Sequence, residues 1–288
     1  MVETLDLPFR WDLTRREQLG SLAVGELAPD YVGFRDELLA SCARIVGFGG
    51  DRDLVFVGRS PESIFDHLSG LLFDTSWFPR LELLHFSMRF WEESMVRATH
   101  PGAITALRDY LESIRLHPAA IAKRARPVAF VDLVSSGDTL GRLVLLLQRW
   151  SIESGHDWNA VRRNLFIVGI TPRTKTSPNT HRWQEHALWL PAIGRGAVKN
   201  VSISGAMWRY LGNEQVKVTR SHTPARWADD ALAQPNRHEA HLKALRLAHS
   251  LFELGRTAEQ RALFAKLLAK ETAMKDKWMR ALVLELKT

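Results

Sequence analysis

The chain lacks several features that define whole classes of proteins. It has one cysteine in 288 residues, Cys42, so an internal disulfide cannot form. Its longest apolar runs, such as residues 143–147, fall far short of the roughly 20 residues that a membrane span needs. The first residues also lack the basic and then apolar pattern of a secretory signal. We therefore expect a cytoplasmic protein without a membrane partner.

The sequence also lacks any long run of charges of one sign. Its formal net charge is +7, which suits small phosphorylated ligands as well as nucleic acid. The basic residues are dispersed, however, and this argues against a dedicated nucleic-acid surface. Hydrophobic residues make up 45% of the chain and charged residues 25%, so a folded domain with a sizeable core is expected. Most of the ten tryptophans should pack within it.

Apolar segments with strand character alternate with helical patterns along the first two thirds of the chain. This alternation predicts an α/β fold with a parallel, doubly wound sheet. Strands are predicted at residues 54–57, 81–86, 128–131 and 165–170, with weaker strands at 198–203 and 216–219. Helices are predicted at residues 15–23, 30–46, 64–73, 103–114, 140–150, 240–254 and 258–268.

The same pattern divides the chain into three parts. Residues 1–29 form an N-terminal segment that could contribute to a hood over the site. Residues 30–227 form the α/β domain, in which residues 87–126 are a long insertion holding one helix. Residues 228–288 form a helical C-terminal appendage.

A short polar turn after the strand at 128–131 carries the strongest chemical signal. Asp132 ends the strand, and the small residues Ser135, Ser136 and Gly137 lead into a helix. Backbone N–H groups in such a turn point the same way, and the helix N-terminus adds partial positive charge. The turn therefore predicts a phosphate site, although an ordinary strand, turn and helix with a polar cap has the same pattern.

This segment resembles the binding motif for 5-phosphoribosyl 1-pyrophosphate (PRPP) in type I phosphoribosyltransferases. Aligned on Gly137, Asp132 matches the second acid of that motif. The phosphate loop falls on Ser135, Ser136, Gly137, Asp138 and Thr139. The sequence departs from the motif at two positions, where Val131 replaces the first acid and Asp138 follows the glycine. Losing one acid implies a weaker grip on the ribose hydroxyls and on magnesium.

A second turn follows the strand at 54–57. There the resemblance implies a pyrophosphate-binding turn made of Gly58, Arg59 and Ser60, with Arg59 clamping the leaving group through its planar guanidinium. Ser60 is also a candidate N-cap, with Pro61 in the first helical turn. The alternative is a surface arginine beside a helix cap.

Three further features are candidates for contacts with substrates. Arg89 would arrive with the insertion, which in this family often closes over pyrophosphate. Trp208 could stack on an acceptor ring within a hood at residues 204–217, or simply pack where the sheet meets the C-terminal helices. His181, His186 and His222 lack a metal-binding spacing, but one of them could act as a general base.

The resemblance implies a PRPP-dependent phosphoribosyltransferase that uses Mg²⁺, held through water by Asp132, and a small-molecule acceptor. Asp132 and Arg59 would be its catalytic residues. The resemblance is also compatible with a homodimer. The alternative is a non-catalytic sensor or regulator of nucleotides or ribose phosphates on the same scaffold, which Val131 favours.

Overall fold

The computed structural model describes residues 10–15, 19–23, 32–173, 183–229 and 237–287. Five parallel strands form one sheet in the order β2-β1-β3-β4-β5. They are β1 (Asp53–Val57), β2 (Leu81–Leu84), β3 (Val128–Leu133), β4 (Leu165–Pro172) and β5 (Val198–Ile203). The prediction of an α/β fold with a parallel sheet is thus confirmed.

Thirteen α-helices lie within the described residues. They are α1 (Phe34–Gly49), α2 (Glu62–Leu72), α3 (Glu93–Thr99), α4 (Ala103–Ser113), α5 (Pro118–Lys123), α6 (Asp138–Glu153), α7 (Trp158–Arg163), α8 (Trp183–His186), α9 (Gly205–Arg209), α10 (Pro224–Trp227), α11 (Glu239–Arg256), α12 (Ala258–Leu268) and α13 (Lys277–Glu285). Short 3₁₀ helices lie at Gly20–Ala23, Phe78–Arg80, Leu190–Ala192, Arg195–Ala197 and Thr272–Lys275, and a π-helical turn at Tyr210–Glu214.

Helices cover both faces of the sheet, and the side chains of the central strand β3 pack against both layers. Val128 and Phe130 point to the face covered by α3 to α7, whereas Ala129 and Val131 point to the face covered by α1 and α2. All four side chains are fully buried. A strand covered on both faces needs this unbroken apolar run.

The C-terminal helices share a hydrophobic core with the sheet. Leu251 of α11, Phe264 of α12 and Leu282 of α13 belong to the same buried cluster as Leu38 of α1 and Ile64 of α2. Cys42 is buried in this cluster as well, and burial raises the pKa of its thiol.

Two local predictions are wrong. Residues 216–219 form no strand, because side chains take up their backbone groups: Val218 N–H donates to Glu62, and the Lys217 carbonyl lies 2.7 Å from Nδ1 of His241. The insertion at 87–126 holds three helices, α3 to α5, rather than one.

Elsewhere the differences are smaller. The predicted helix at 30–46 begins at Phe34, with residues 30 and 31 outside the described residues. The described part of the helix predicted at 15–23 is the 3₁₀ turn Gly20–Ala23. None of the helices in the described ranges combines the length and apolar character that crossing a membrane requires.

Helices α2 and α11 cross with their backbones in close contact. A Cβ added at Gly70 would overlap the carbonyl group of Phe252, and one at Gly255 would lie 2.5 Å from the carbonyl oxygen of His67. The imidazole of His67 lies 2.9 Å from the carbonyl oxygen of Leu251. The crossing therefore depends on two glycines, one in each helix.

We expect Gly70→Ala to lower the free energy of unfolding by about 3 kcal/mol, because the added methyl group must push two backbones apart. Urea denaturation measures this change. Gly205→Ala is the matched control, since a Cβ there would meet nothing within 4 Å. Equal stability of the two variants would contradict the close crossing.

Candidate functional site

A cavity of about 570 Å³ opens at the carboxyl ends of β1 and β3. The chain leaves β1 toward β2 on one side and later returns to β3 on the other, so the loops after β1 and β3 diverge. Crevices at such a switch point are the usual ligand sites of open parallel sheets. The cavity brings together ten of the predicted site residues: Gly58, Arg59, Ser60, Arg89, Asp132, Ser135, Ser136, Gly137, Asp138 and Thr139.

The turn after β3 lines this cavity and carries backbone donors. Gly137 precedes α6 with a left-handed backbone, at φ 82°. Among the residues that the structure describes, none accepts a hydrogen bond from the backbone N–H groups of residues 135–139. The helical pattern of backbone hydrogen bonds begins after these residues, where the N–H of Gly141 donates to the carbonyl of Gly137. Residues 135–139 thus offer unbonded donors beside the positive end of a 16-residue helix.

Two tryptophans support this turn from behind. A Cβ at Gly137 would lie 2.7 Å from the Trp183 ring, and one at Gly141 would overlap Trp189. The two indoles stack with centroids 5.9 Å apart, and Trp183 Nε1 donates to Asn200 on β5 at 2.9 Å. Sequence reasoning missed this support, although glycines four residues apart at the start of a helix are a signal for a large side chain packed there.

The turn after β1 forms the neighbouring wall. Gly58 has φ 74°, and its N–H donates to the carbonyl of Leu84 at 2.8 Å. Arg59 donates from Nη1 to the carbonyl of Thr219 at 3.0 Å, and burial lowers the pKa of its guanidinium. Helix α2 begins at Glu62, so Pro61 rather than Ser60 occupies the N-cap position.

Asp132 is the next-to-last residue of β3, and its carboxyl group is almost completely buried. Burial raises the pKa of Asp132 to about 8, and a hydrogen bond from the backbone of Leu133 only partly offsets the shift. Val131 points to the opposite face of the sheet and is fully buried in the core there. Position 131 therefore packs in the core, and β3 ends in a single acid.

A return segment at residues 212–222 forms a further wall, beside the turn after β1. Residues 212–217 belong to the hood predicted at 204–217, but sequence reasoning did not single out Lys217. Lys217 donates to Gln215 Oε1 at 2.9 Å and lies 3.5 Å from the carbonyl of Ser60. Burial lowers the pKa of Lys217 to about 8, while Glu62 opposes the shift. Glu62 accepts hydrogen bonds from the Val218 N–H and the Thr219 hydroxyl, so it ties this wall to α2.

Two histidines also line the cavity. His85 follows β2, and its ring centroid lies 4.7 Å from that of His222. Burial is the largest cause that lowers the pKa of each imidazole, so both are neutral at pH 7. Of the histidines named from the sequence, His186 ends α8 away from the cavity lining, and His181 lies outside the described residues.

The remaining residues predicted to contact a substrate are Arg89 and Trp208. Arg89 lies exposed at the cavity, with its guanidinium 4.6 Å from the ring centroid of Phe90. Trp208 lies outside the cavity lining, where it packs against the core and donates from Nε1 to the Val134 carbonyl at 3.3 Å. Within the described ranges, no group of three or more His, Cys, Asp or Glu residues is arranged to hold a metal ion.

No protein-family model matches the sequence, and no curated protein or solved structure is significantly similar to it.

We expect Asp132→Asn to stabilise the protein more at pH 8 than at pH 4. The pKa of Asp132 is raised from 3.8 to about 8, so folding binds a proton that the unfolded chain releases above pH 4. Since one pKa unit corresponds to about 1.4 kcal/mol, the asparagine variant should regain several kcal/mol of the stability that the wild-type protein loses between pH 4 and pH 8. Urea denaturation of both proteins at the two pH values tests this. A difference in stability that does not change with pH would contradict the buried, protonated carboxyl group.

Proposed function

We propose that this protein is a phosphoribosyltransferase of the type I fold, which moves a 5-phosphoribosyl group from PRPP to a small-molecule acceptor and releases pyrophosphate. The observation that carries the proposal is the set of unbonded amides at residues 135–139, beside Arg59 and Asp132 in one cavity. These groups suit the two ends of a sugar that carries a phosphate at one end and a pyrophosphate at the other.

Each group has a defined task in this proposal. The amides of residues 135–139 and the hydroxyls of Ser135, Ser136 and Thr139 bind the 5-phosphate. Asp132 accepts hydrogen bonds from the ribose hydroxyls, and Arg59 with the turn of Gly58 and Ser60 holds the pyrophosphate. Arg89, exposed at the cavity, adds positive charge beside it.

The reaction exchanges one bond at C1 of the ribose for another. The C1–O bond breaks with its electron pair going to pyrophosphate, and the acceptor's nucleophilic atom bonds to C1 and loses its proton. The protein contributes by holding both partners in line and by stabilising the charge on the departing group. The charge of Arg59 serves this purpose at every pH near neutrality.

Magnesium fits this site as a companion of the substrate. One carboxylate, Asp132, stands at the strand tip, and Mg²⁺ is commonly held by one or two carboxylates together with substrate phosphates. Asp132 would hold the ion through water. When bound, the ion would neutralise charge on the pyrophosphate.

A sensor of ribose phosphates is the second candidate. The observation that favours it is Val131, whose core position leaves Asp132 as the only acid at the tip of β3. Such a protein would bind PRPP in the same cavity and release no pyrophosphate.

Pyrophosphate release from PRPP, measured with and without Mg²⁺, separates the two candidates. We expect metal-dependent release by the wild-type protein and a loss of at least about 100-fold in Asp132→Asn, because the ribose loses its anionic contact. Circular dichroism of the variant controls for its fold. Binding of PRPP without any release, across a panel of amine, hydroxyl and heterocyclic acceptors, would favour the sensor. Unchanged turnover in Asp132→Asn would contradict the role given to this residue.

The phosphate loop can be tested separately from catalysis. Ser136 is exposed, so we expect Ser136→Asp to fold normally but to weaken ribose 5-phosphate binding by about 100-fold or more, through repulsion between the carboxylate and the phosphate. Isothermal titration calorimetry measures the affinity. Ser154→Asp, at the opposite end of α6, is the matched control and should bind normally. Equal affinity of both variants would overturn the proposed phosphate site.

A further inference from the structure

His85 and His222 are buried side by side without a full set of hydrogen-bond partners. Their side chains are 7% and 3% exposed, and both line the cavity on the side of β2 and the return segment. None of the hydrogen bonds among the described residues involves a ring nitrogen of His85. Nε2 of His222 is buried and has no partner among the same residues.

The position of the proton on His222 follows from its contact with Arg226. Nη1 of Arg226 lies 3.5 Å from Nδ1 of His222, and a guanidinium can only donate. Nδ1 therefore accepts, and the proton of the neutral ring sits on Nε2. A buried N–H donor without an acceptor costs about 1–3 kcal/mol, so a partner supplied by a ligand would stabilise the complex.

The charges around His85 and His222 determine which kind of ligand group is favoured there. Positive charges of Arg10, Arg59 and Arg226 all disfavour protonation of these rings. The Trp227 ring lies beside them, with its centroid 5.7 Å from that of His222. A group with a lone pair and partial or full negative charge is therefore favoured here, and a cationic or purely donating group is not.

We propose that His85 and His222 form the subsite for the acceptor, and that Nε2–H of His222 donates a hydrogen bond to a carbonyl, a carboxylate or an unprotonated ring nitrogen of that molecule. This inference rests on the proposed function, since the other walls of the cavity are assigned to the phosphate and pyrophosphate ends of PRPP. The two histidines are specificity residues, and His222 in this tautomer is a donor rather than a general base.

Three small ring compounds test the proposal by their chemistry. Benzoate and benzamide present an acceptor to Nε2–H, whereas aniline presents N–H donors on a ring of the same size. With ribose 5-phosphate bound, we expect benzoate or benzamide to bind at least about tenfold more tightly than aniline, the difference that one hydrogen bond of about 1.4 kcal/mol makes. Long-range ¹H–¹⁵N NMR on histidine-labelled protein should show the Nε2–H tautomer of His222 and a shift of its Nε2 signal with the favoured probe.

The matched variants are His222→Phe, which keeps a ring but removes both nitrogens, and His156→Phe at an exposed position remote from the cavity lining. His222→Phe should lose the preference over aniline while ribose 5-phosphate binding stays within about twofold, and His156→Phe should keep both. The NMR measurement on the wild-type protein needs no variant, so it decides the question even if His222→Phe does not fold.

The outcomes separate this inference from the proposed function. Ribose 5-phosphate binding with no preference among the three probes, or a proton on Nδ1 of His222, overturns the acceptor subsite alone. A preference that survives in His222→Phe overturns it as well. Failure of the wild-type protein to bind ribose 5-phosphate overturns the proposed function and the acceptor assignment together.

Discussion

The site depends on five backbone amides that have no acceptor in the part of the chain that the structure describes. They lie in the turn between β3 and α6, where Gly137 adopts a positive φ that side chains rarely allow. The indole of Trp183 fills the space behind Gly137, so the glycine is required both by its backbone and by its neighbour. A turn fixed in this way holds its donors in place without a ligand, so binding an anion there would need little reorganisation.

The rest of the cavity is fixed by buried charges rather than by strand pairing. Glu62 begins α2 and accepts hydrogen bonds from Val218 and Thr219, whose carbonyl in turn accepts from Arg59. On the next turn of α2, Asp66 pairs with Arg10 at 2.8 Å, and burial raises the pKa of this carboxyl group to about 6. Buried charges are tolerated when each has such partners. Removing one partner leaves the other buried and unpaired, which is strongly destabilising. The return segment is thereby held against the turn of β1 by side chains of α2.

The sequence predicted the parts of the molecule that depend on local patterns. Val128 to Val131 form an unbroken apolar run because both faces of β3 are covered, and the small polar residues after Asp132 must form a turn into a helix. Lys217, His85 and the supporting Trp183 come from distant parts of the chain, so no local pattern brings them to the cavity. Residues 216–219 have strand-like side chains, but their backbone bonds to Glu62 and lies near His241. These contacts form only in the tertiary structure, so the local sequence does not predict them.

The single acid at the tip of β3 also shapes the chemistry that this cavity can support. Asp132 is protonated near neutral pH in the unliganded protein, since burial opposes its charge. A magnesium ion that arrives with pyrophosphate would supply the positive charge that favours the carboxylate form, so that metal and substrate binding would release a proton from Asp132. A catalyst built in this way gains its anionic group only when the metal-bound substrate is present. The same coupling would let a sensor distinguish PRPP with its metal from ribose 5-phosphate alone. The buried carboxyl group of Asp132 is therefore compatible with both functions, and turnover must distinguish them.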